Sequence, residues 1–191
     1  MLSPKVKELI VKARIVSFDS WPDDFSPEVI SRFQGVDDEK YYLTDEDCDA
    51  IFKEKPELEN NLAIAKLLRD NATDIVSKAR ENVLAEFPGI TDEDGELYPA
   101  FRAEACWRDF WQFLRCVTYG VAANRADYIS EIGLGFMEAL YRELSVPLPA
   151  MVCGVKGLKQ YSLGYVPAES DVDIAPPFDH LIAGLKGFTR E

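Results

Sequence analysis

An all-helical domain is predicted by three features of the 191-residue chain. Apolar residues recur at the three-to-four-residue spacing of buried helix faces, hydroxyl residues followed by proline or acids mark helix starts, and no segment alternates like a strand. No internal repeat or low-complexity tract appears either. With 47% hydrophobic residues the chain can bury one substantial core, so residues 1–191 are expected to form a single domain.

Ser3 and Pro4 read as an N-cap followed by a first-turn proline, with Val6, Leu9, Ile10 and Ala13 at helical spacing. Trp21 and Pro22 interrupt this helix. Ser26 and Pro27 then repeat the start signal ahead of EVISRFQ, which Gly35 is expected to close. Residues 1–36 thus predict a helical hairpin outside the main core. Thr44 caps DEDCDAIFKEK, because its hydroxyl accepts an early amide while Asp45, Glu46 and Asp47 favour the positive end of the helix dipole. From Pro56 to Phe87 the apolar period continues for too long to be one ordinary helix and predicts two consecutive helices, bent near the middle.

Pro88 and Gly89 end that run, and ITDEDGELYP reads as an exposed loop. An aromatic helix, AEACWRDFWQFLRCVTYGVA, follows. A further helix is expected from about Asp127 to Leu144, and another in AMVCGVKGLKQYSL, where Gly154 and Gly157 permit close helix approach. A last helix is expected near Pro176 to Gly187.

The net charge of −13 disfavours attraction to nucleic-acid phosphates and to anionic membrane surfaces, because both carry the same sign as this surface. No run of about 18 apolar residues is present to cross a bilayer, and the amphipathic start lacks a cleavable apolar block, so a soluble protein retained in the compartment of synthesis is expected. Cys48, Cys106, Cys116 and Cys153 are widely spaced, which suits reduced thiols in a cytoplasm. Cys116 is about 100° off the helical face of Cys106, so these two are not expected to bridge; Cys48, Cys116 and Cys153 read as small buried residues.

His180 is the only histidine, and no cluster has metal-ligand spacing, so neither a hydrolytic enzyme nor a metal centre is expected. His180 reads as partly exposed on the last helix. The Gly133–Phe136 GLGF stretch lacks the preceding strand of a nucleotide-binding loop.

The distinctive segment is Arg102-Ala-Glu-Ala-Cys106-Trp107-Arg108-Asp109, followed by Phe110, Trp111, Phe113, Arg115 and Tyr119. Helical spacing puts Arg102, Cys106 and Asp109 on one face, with Arg108 and Arg115 on a neighbouring stripe. By themselves these residues also permit a buried structural thiol, an ordinary Arg108–Asp109 ion pair and core aromatics.

CWRDFWQFLRCVTYGVAANRADYI resembles the phycobiliprotein pattern of Cys-x-Arg-Asp, then Leu-Arg, then Thr-Tyr. Tyr42-Leu-Thr, Asp70-Asn-Ala-Thr-Asp-Ile-Val, Pro88, ISEIGLGFMEALYRELSVPL and FDHLIAGL fall in the family's order as well. The resemblance implies a globin-like core over residues 42–188 and an N-terminal hairpin, residues 1–36, through which subunits associate. It implies an open-chain tetrapyrrole, phycocyanobilin or similar, thioether-linked to Cys106. Asp109 would accept hydrogen bonds from the central pyrrole nitrogens, Arg108 and Arg102 would hold the propionates, and Tyr119 and Trp107 would pack against the rings. Two departures stand out: the family's Ala-Gly-Asp is here Ala122-Ala123-Asn124, and Trp107 and Trp111 are bulkier than the usual occupants.

The implied function is light harvesting or energy transfer in the cytoplasm or at the cytoplasmic face of thylakoid membranes. The implied partners are other phycobiliprotein subunits, a second copy of the chain, or a linker or photosystem protein. A chromophore-free assembly or adaptor protein for phycobilisomes or photosystems is the alternative, favoured by the tryptophans and the altered Ala122–Asn124 stretch. A globin-like sensor is a third reading, though no histidine in the core helices is placed to ligate haem.

Overall fold

The structure, a computed structural model, describes residues 2–188. Met1, which opens the expected hairpin, and residues 189–191, at the end of the expected domain, lie outside the described residues. Among the described residues nine α-helices follow one another: α1 Pro4–Lys12, α2 Pro27–Asp38, α3 Asp45–Glu54, α4 Glu59–Asp70, α5 Ala72–Glu86, α6 Ala100–Ala123, α7 Glu131–Glu143, α8 Leu148–Leu163 and α9 Ala175–Lys186. A single 3-10 turn, Pro56–Leu58, precedes α4. Among the described residues the only β-type pairing is one antiparallel bridge between Val16 and Ile129.

The helix starts follow local chemistry. The side chains of Ser3, Ser26 and Ser130 accept the amides of Val6, Val29 and Gly133, satisfying donors that a helix leaves open. Thr44 and Asp47 form a reciprocal capping box. The long apolar run divides at Asn71, as the expected bend required. Helix α6 ends on Asn124, whose φ of 53° is the left-handed conformation usually given to glycine. Asparagine is the side-chain-bearing residue that tolerates this best, so the helix terminates without a glycine.

Helix α6 crosses α4 and packs on α5, α8 and α9, while α5 lies along α8 and α8 along α9. Two glycines set these approaches. A Cβ on Gly154 would fall 2.0 Å from the Phe110 ring, and one on Gly157 would fall 3.0 Å from the Cα of Ala79. The close contact expected at both positions is therefore present, α8 on α6 in one case and α8 on α5 in the other.

The N-terminal segment departs from the expected hairpin outside the core. Helix α1 rests on α7 and α2 on α3, and the linking residues Phe18, Trp21 and Phe25 join Val29 and Phe33 in the main core. Phe18 and Phe33 each place a ring 6.2 Å from Tyr119 of α6. Backbone bonds fasten the link: Ser130 N–H donates to Ile15 (2.7 Å) and Ser17 N–H to Tyr128 (2.9 Å). Gly133 makes room here, because a Cβ would meet the Arg14 carbonyl oxygen.

A buried ion pair completes the attachment. Arg115 of α6 donates to Asp37 of α2 at 2.8 Å, and Arg14 pairs with the other Asp37 oxygen. This draws α2 past Gly35, where it was expected to end, to Asp38. Helix α7 likewise starts at Glu131 rather than near Asp127, because the preceding residues run extended beside Val16 and Ser17.

Substituting Gly154→Ala is expected to lower stability by about 1–3 kcal/mol, since the added methyl group must displace the enclosed Phe110 ring. A urea-denaturation midpoint indistinguishable from the wild type would refute this account of the α6–α8 contact.

Candidate functional site

The first half of α6 carries the distinctive segment. Cys106 and Trp107 are buried, Asp109 is half-buried and Arg108 is exposed. Cys106 and Asp109 lie on one face of the helix, close enough for the Asp109 charge to act on the Cys106 thiol. Burial, and secondarily the Asp109 charge, push the Cys106 thiol up to about 12. Burial also raises the Asp109 carboxyl to about 6, against the opposing effects of a hydrogen bond from Tyr141 and the charge of Arg108. The Tyr141 hydroxyl of α7 donates to Asp109 Oδ2 at 3.2 Å. The face thus presents a protonated thiol beside a carboxyl that titrates close to neutrality.

Trp107 packs against Phe110 with ring centroids 5.6 Å apart. The guanidinium of Arg80, on α5, lies over its indole at 5.2 Å. Trp111 is only partly buried and stands edge-on to Tyr42 at 4.7 Å, with the Tyr42 hydroxyl donating to the Trp111 carbonyl. Both bulky tryptophans are therefore held by neighbouring protein groups.

The remaining expected residues are distributed differently. Arg102 shares the Cys106 face, but its Nε donates to the Glu96 carbonyl (3.1 Å) and an Nη to the Ser145 carbonyl (2.9 Å). These bonds tie the α5–α6 loop and the α7–α8 connection to the start of α6. Tyr119 lies about 20 Å further along the helix axis, at ~1.5 Å per residue. It is buried there, donating to the Tyr41 carbonyl and receiving a bond from Arg115. Cys106, Trp107, Arg108 and Asp109 are brought together; Tyr119 is not among them.

Three participants were missed in the sequence: Tyr141, Arg80 and Asp37. Each meets α6 from another helix, and helical periodicity within a segment carries no information about such a partner. The only available signal was a tyrosine inside the apolar α7 run.

Elsewhere, all four cysteines are free thiols. Cys48 and Cys116 are buried as expected, with burial raising both, to about 11 and about 12; Cys153 is only half-buried. His180 is exposed on α9, its Nδ1 beside the Ala126 carbonyl. Among the described residues no group of carboxylates, thiols and imidazole could hold a metal ion, and no helix is long and apolar enough to cross a membrane. A shallow cavity of about 350 Å³ opens between Phe25, Lys55, Asn124 and Arg125, away from Cys106.

Comparison with known proteins places these features in a family. The model of the phycobilisome protein family matches residues 31–185. The allophycocyanin alpha chain of Cyanophora paradoxa is 33% identical over 79% of this chain and 94% of its own length. The allophycocyanin alpha-B subunit of Synechocystis sp. is 36% identical over 63% and 75%. A far-red fluorescent biliprotein derived from an allophycocyanin F subunit of Chroococcidiopsis thermalis superimposes with a TM-score of 0.62 at 22% identity, covering 68% of this chain and 98% of that one. The expected globin-like, all-helical phycobiliprotein fold is therefore present. Phycobilisome proteins are light-harvesting structural proteins rather than enzymes, in line with the expected lack of turnover chemistry. On a family match over most of its length and on a relative 33% identical over 94% of that relative's own chain, the protein belongs to the phycobilisome protein family.

Proposed function

We propose that this chain is a bilin-binding light-harvesting or energy-transfer subunit, with an open-chain tetrapyrrole such as phycocyanobilin linked through a thioether to Cys106. The carrying observation is the juxtaposition on α6 of the Cys106 thiol with the half-buried, neutral-range Asp109 carboxyl, in a chain similar to allophycocyanin alpha subunits.

The donor set fits such a pigment. When bound, the tetrapyrrole supplies visible absorption and excitation transfer. The protein's part is to hold it extended and exclude rotation. Asp109 would accept pyrrole N–H donors, with the Tyr141 hydroxyl fixing the carboxyl's orientation. Arg108, exposed beside the site, is free to form a bidentate pair with a propionate. Trp107 would form an aromatic wall, braced by Phe110. Arg102 contributes by fixing the loops on either side of the site through two carbonyls, and Tyr119 by anchoring the far half of α6.

A thiol near 12 is almost wholly protonated at neutral pH, and the thiolate is the effective nucleophile. Covalent loading therefore calls for a lyase or another base that removes the thiol proton. Other phycobiliprotein subunits, a second copy, or a linker or photosystem protein would be the partners, met in the cytoplasm or at the cytoplasmic face of thylakoid membranes. A chromophore-free adaptor is the second reading, favoured by the protein contacts that hold Trp107 and Trp111.

Coexpression with bilin-synthesis enzymes and a panel of lyases is expected to give a zinc-fluorescent band on denaturing gels for the wild type and none for Cys106→Ala. A band on both would move the attachment site; a band on neither under any lyase would favour the adaptor.

Asp109 carries a separate pH prediction. Its folded value near 6 exceeds the ordinary 3.8, so the folded state binds this proton more tightly than the unfolded chain. Its contribution is most favourable below about pH 4 and is lost as pH rises through 6. Asp109→Asn is accordingly expected to be more stable than the pigment-free wild type at pH 8, by roughly 1–2 kcal/mol, with the difference shrinking toward pH 4. A difference that does not vary with pH in urea denaturation would contradict the assignment.

A further inference from the structure

The arginines of this chain are unevenly committed. With 34 acidic against 21 basic side chains, a carboxylate partner is easy to find. Arg14, Arg32, Arg69, Arg115, Arg125 and Arg142 all have one. Arg102 is occupied by two backbone carbonyls. Among the described residues, Arg80 and Arg108 are the exceptions with neither a carboxylate nor a carbonyl in hydrogen-bond reach, and both flank Trp107 beside Cys106. Arg108 is its chain neighbour, and Arg80 approaches from α5 to lie over its indole at 5.2 Å.

The mode of that contact matters. A guanidinium held over an indole by its charge spends no N–H donor on an oxygen acceptor, which leaves donors free for a ligand. A side chain already held in place also loses less freedom when it takes up a ligand. Arg80 is exposed, so its edge is reachable.

We propose that Arg80 is a carboxylate-binding residue of the Cys106 site, pairing with one propionate of the tetrapyrrole while Arg108 takes the other. This rests on the bilin reading above. It gives to Arg80 the role that the sequence suggested for Arg102. Two guanidinium groups near one indole would select a ligand carrying two carboxylates and fix which way it lies along α6.

The test uses the purified pigment-free full chain, titrated without lyase by phycocyanobilin or by its dimethyl ester, with tryptophan fluorescence quenching as the readout. The wild type is expected to bind the diacid more tightly than the ester. Arg80→Gln should weaken diacid binding about tenfold, the value of one charge-assisted bond, and leave ester binding unchanged. Arg80→Lys should recover part of the loss, because the charge remains while the planar fork is lost. Unchanged diacid affinity in Arg80→Gln, or equal wild-type affinity for diacid and ester, would overturn the role of Arg80 and leave the bilin reading standing. A wild type that binds neither compound would also overturn the role of Arg80, while the bilin reading itself stands or falls on the lyase coexpression above.

Discussion

From Phe113 to Ala123, helix α6 has no face open to solvent. A helix enclosed on every side needs more cover than one layer of neighbours provides, and α4, α5, α8 and α9 leave part of it to the N-terminal segment. That segment supplies Phe18, Trp21 and Phe33 as apolar cover. The polar groups of α6 must also be satisfied where water does not reach. Asp37 and the Tyr41 carbonyl meet this need for Arg115 and Tyr119, and Thr118 bonds back to the Arg115 carbonyl. Removing Asp37 would strand the buried Arg115 charge, a far larger cost than the pair's net contribution, whereas removing Arg115 would leave Asp37 its pairing with Arg14. The enclosed half of α6 then serves as the fixed base from which the other half presents Cys106 and Asp109.

Much of the helical order was legible because it depends on short-range chemistry. The caps at Ser3, Ser26 and Thr44, the division of the 56–87 run and the close approaches at Gly154 and Gly157 all rest on signals contained within a few residues. The position of α1 and α2 was not legible. An amphipathic pattern tells that a face will be buried and says nothing of what buries it, and residues 14–37 find their partners about a hundred positions later. The α2 and α7 boundaries moved for the same reason, each pulled by a contact from a distant segment.

The site shows the same division. That Cys106 and Asp109 share a face followed from helical geometry, and so did the place of Arg102 on it. The direction in which Arg102 spends its donors depended on two loop carbonyls that no spacing rule reveals. Tyr141 and Arg80 come from α7 and α5, so only the assembled fold shows that one bonds to the carboxyl and the other lies over Trp107.

The folded-back N-terminal segment also has a consequence for synthesis on the ribosome. Phe18, Trp21 and Phe33 leave the exit tunnel early, whereas Tyr119 and Tyr128, against which this segment closes, follow roughly a hundred residues later. At translation speeds of about 5–20 residues per second, these aromatic side chains wait on the order of 5–20 seconds without their native cover. The nascent chain therefore passes through an interval in which this aromatic stretch is available to chaperones, or to a neighbouring chain emerging from the same message.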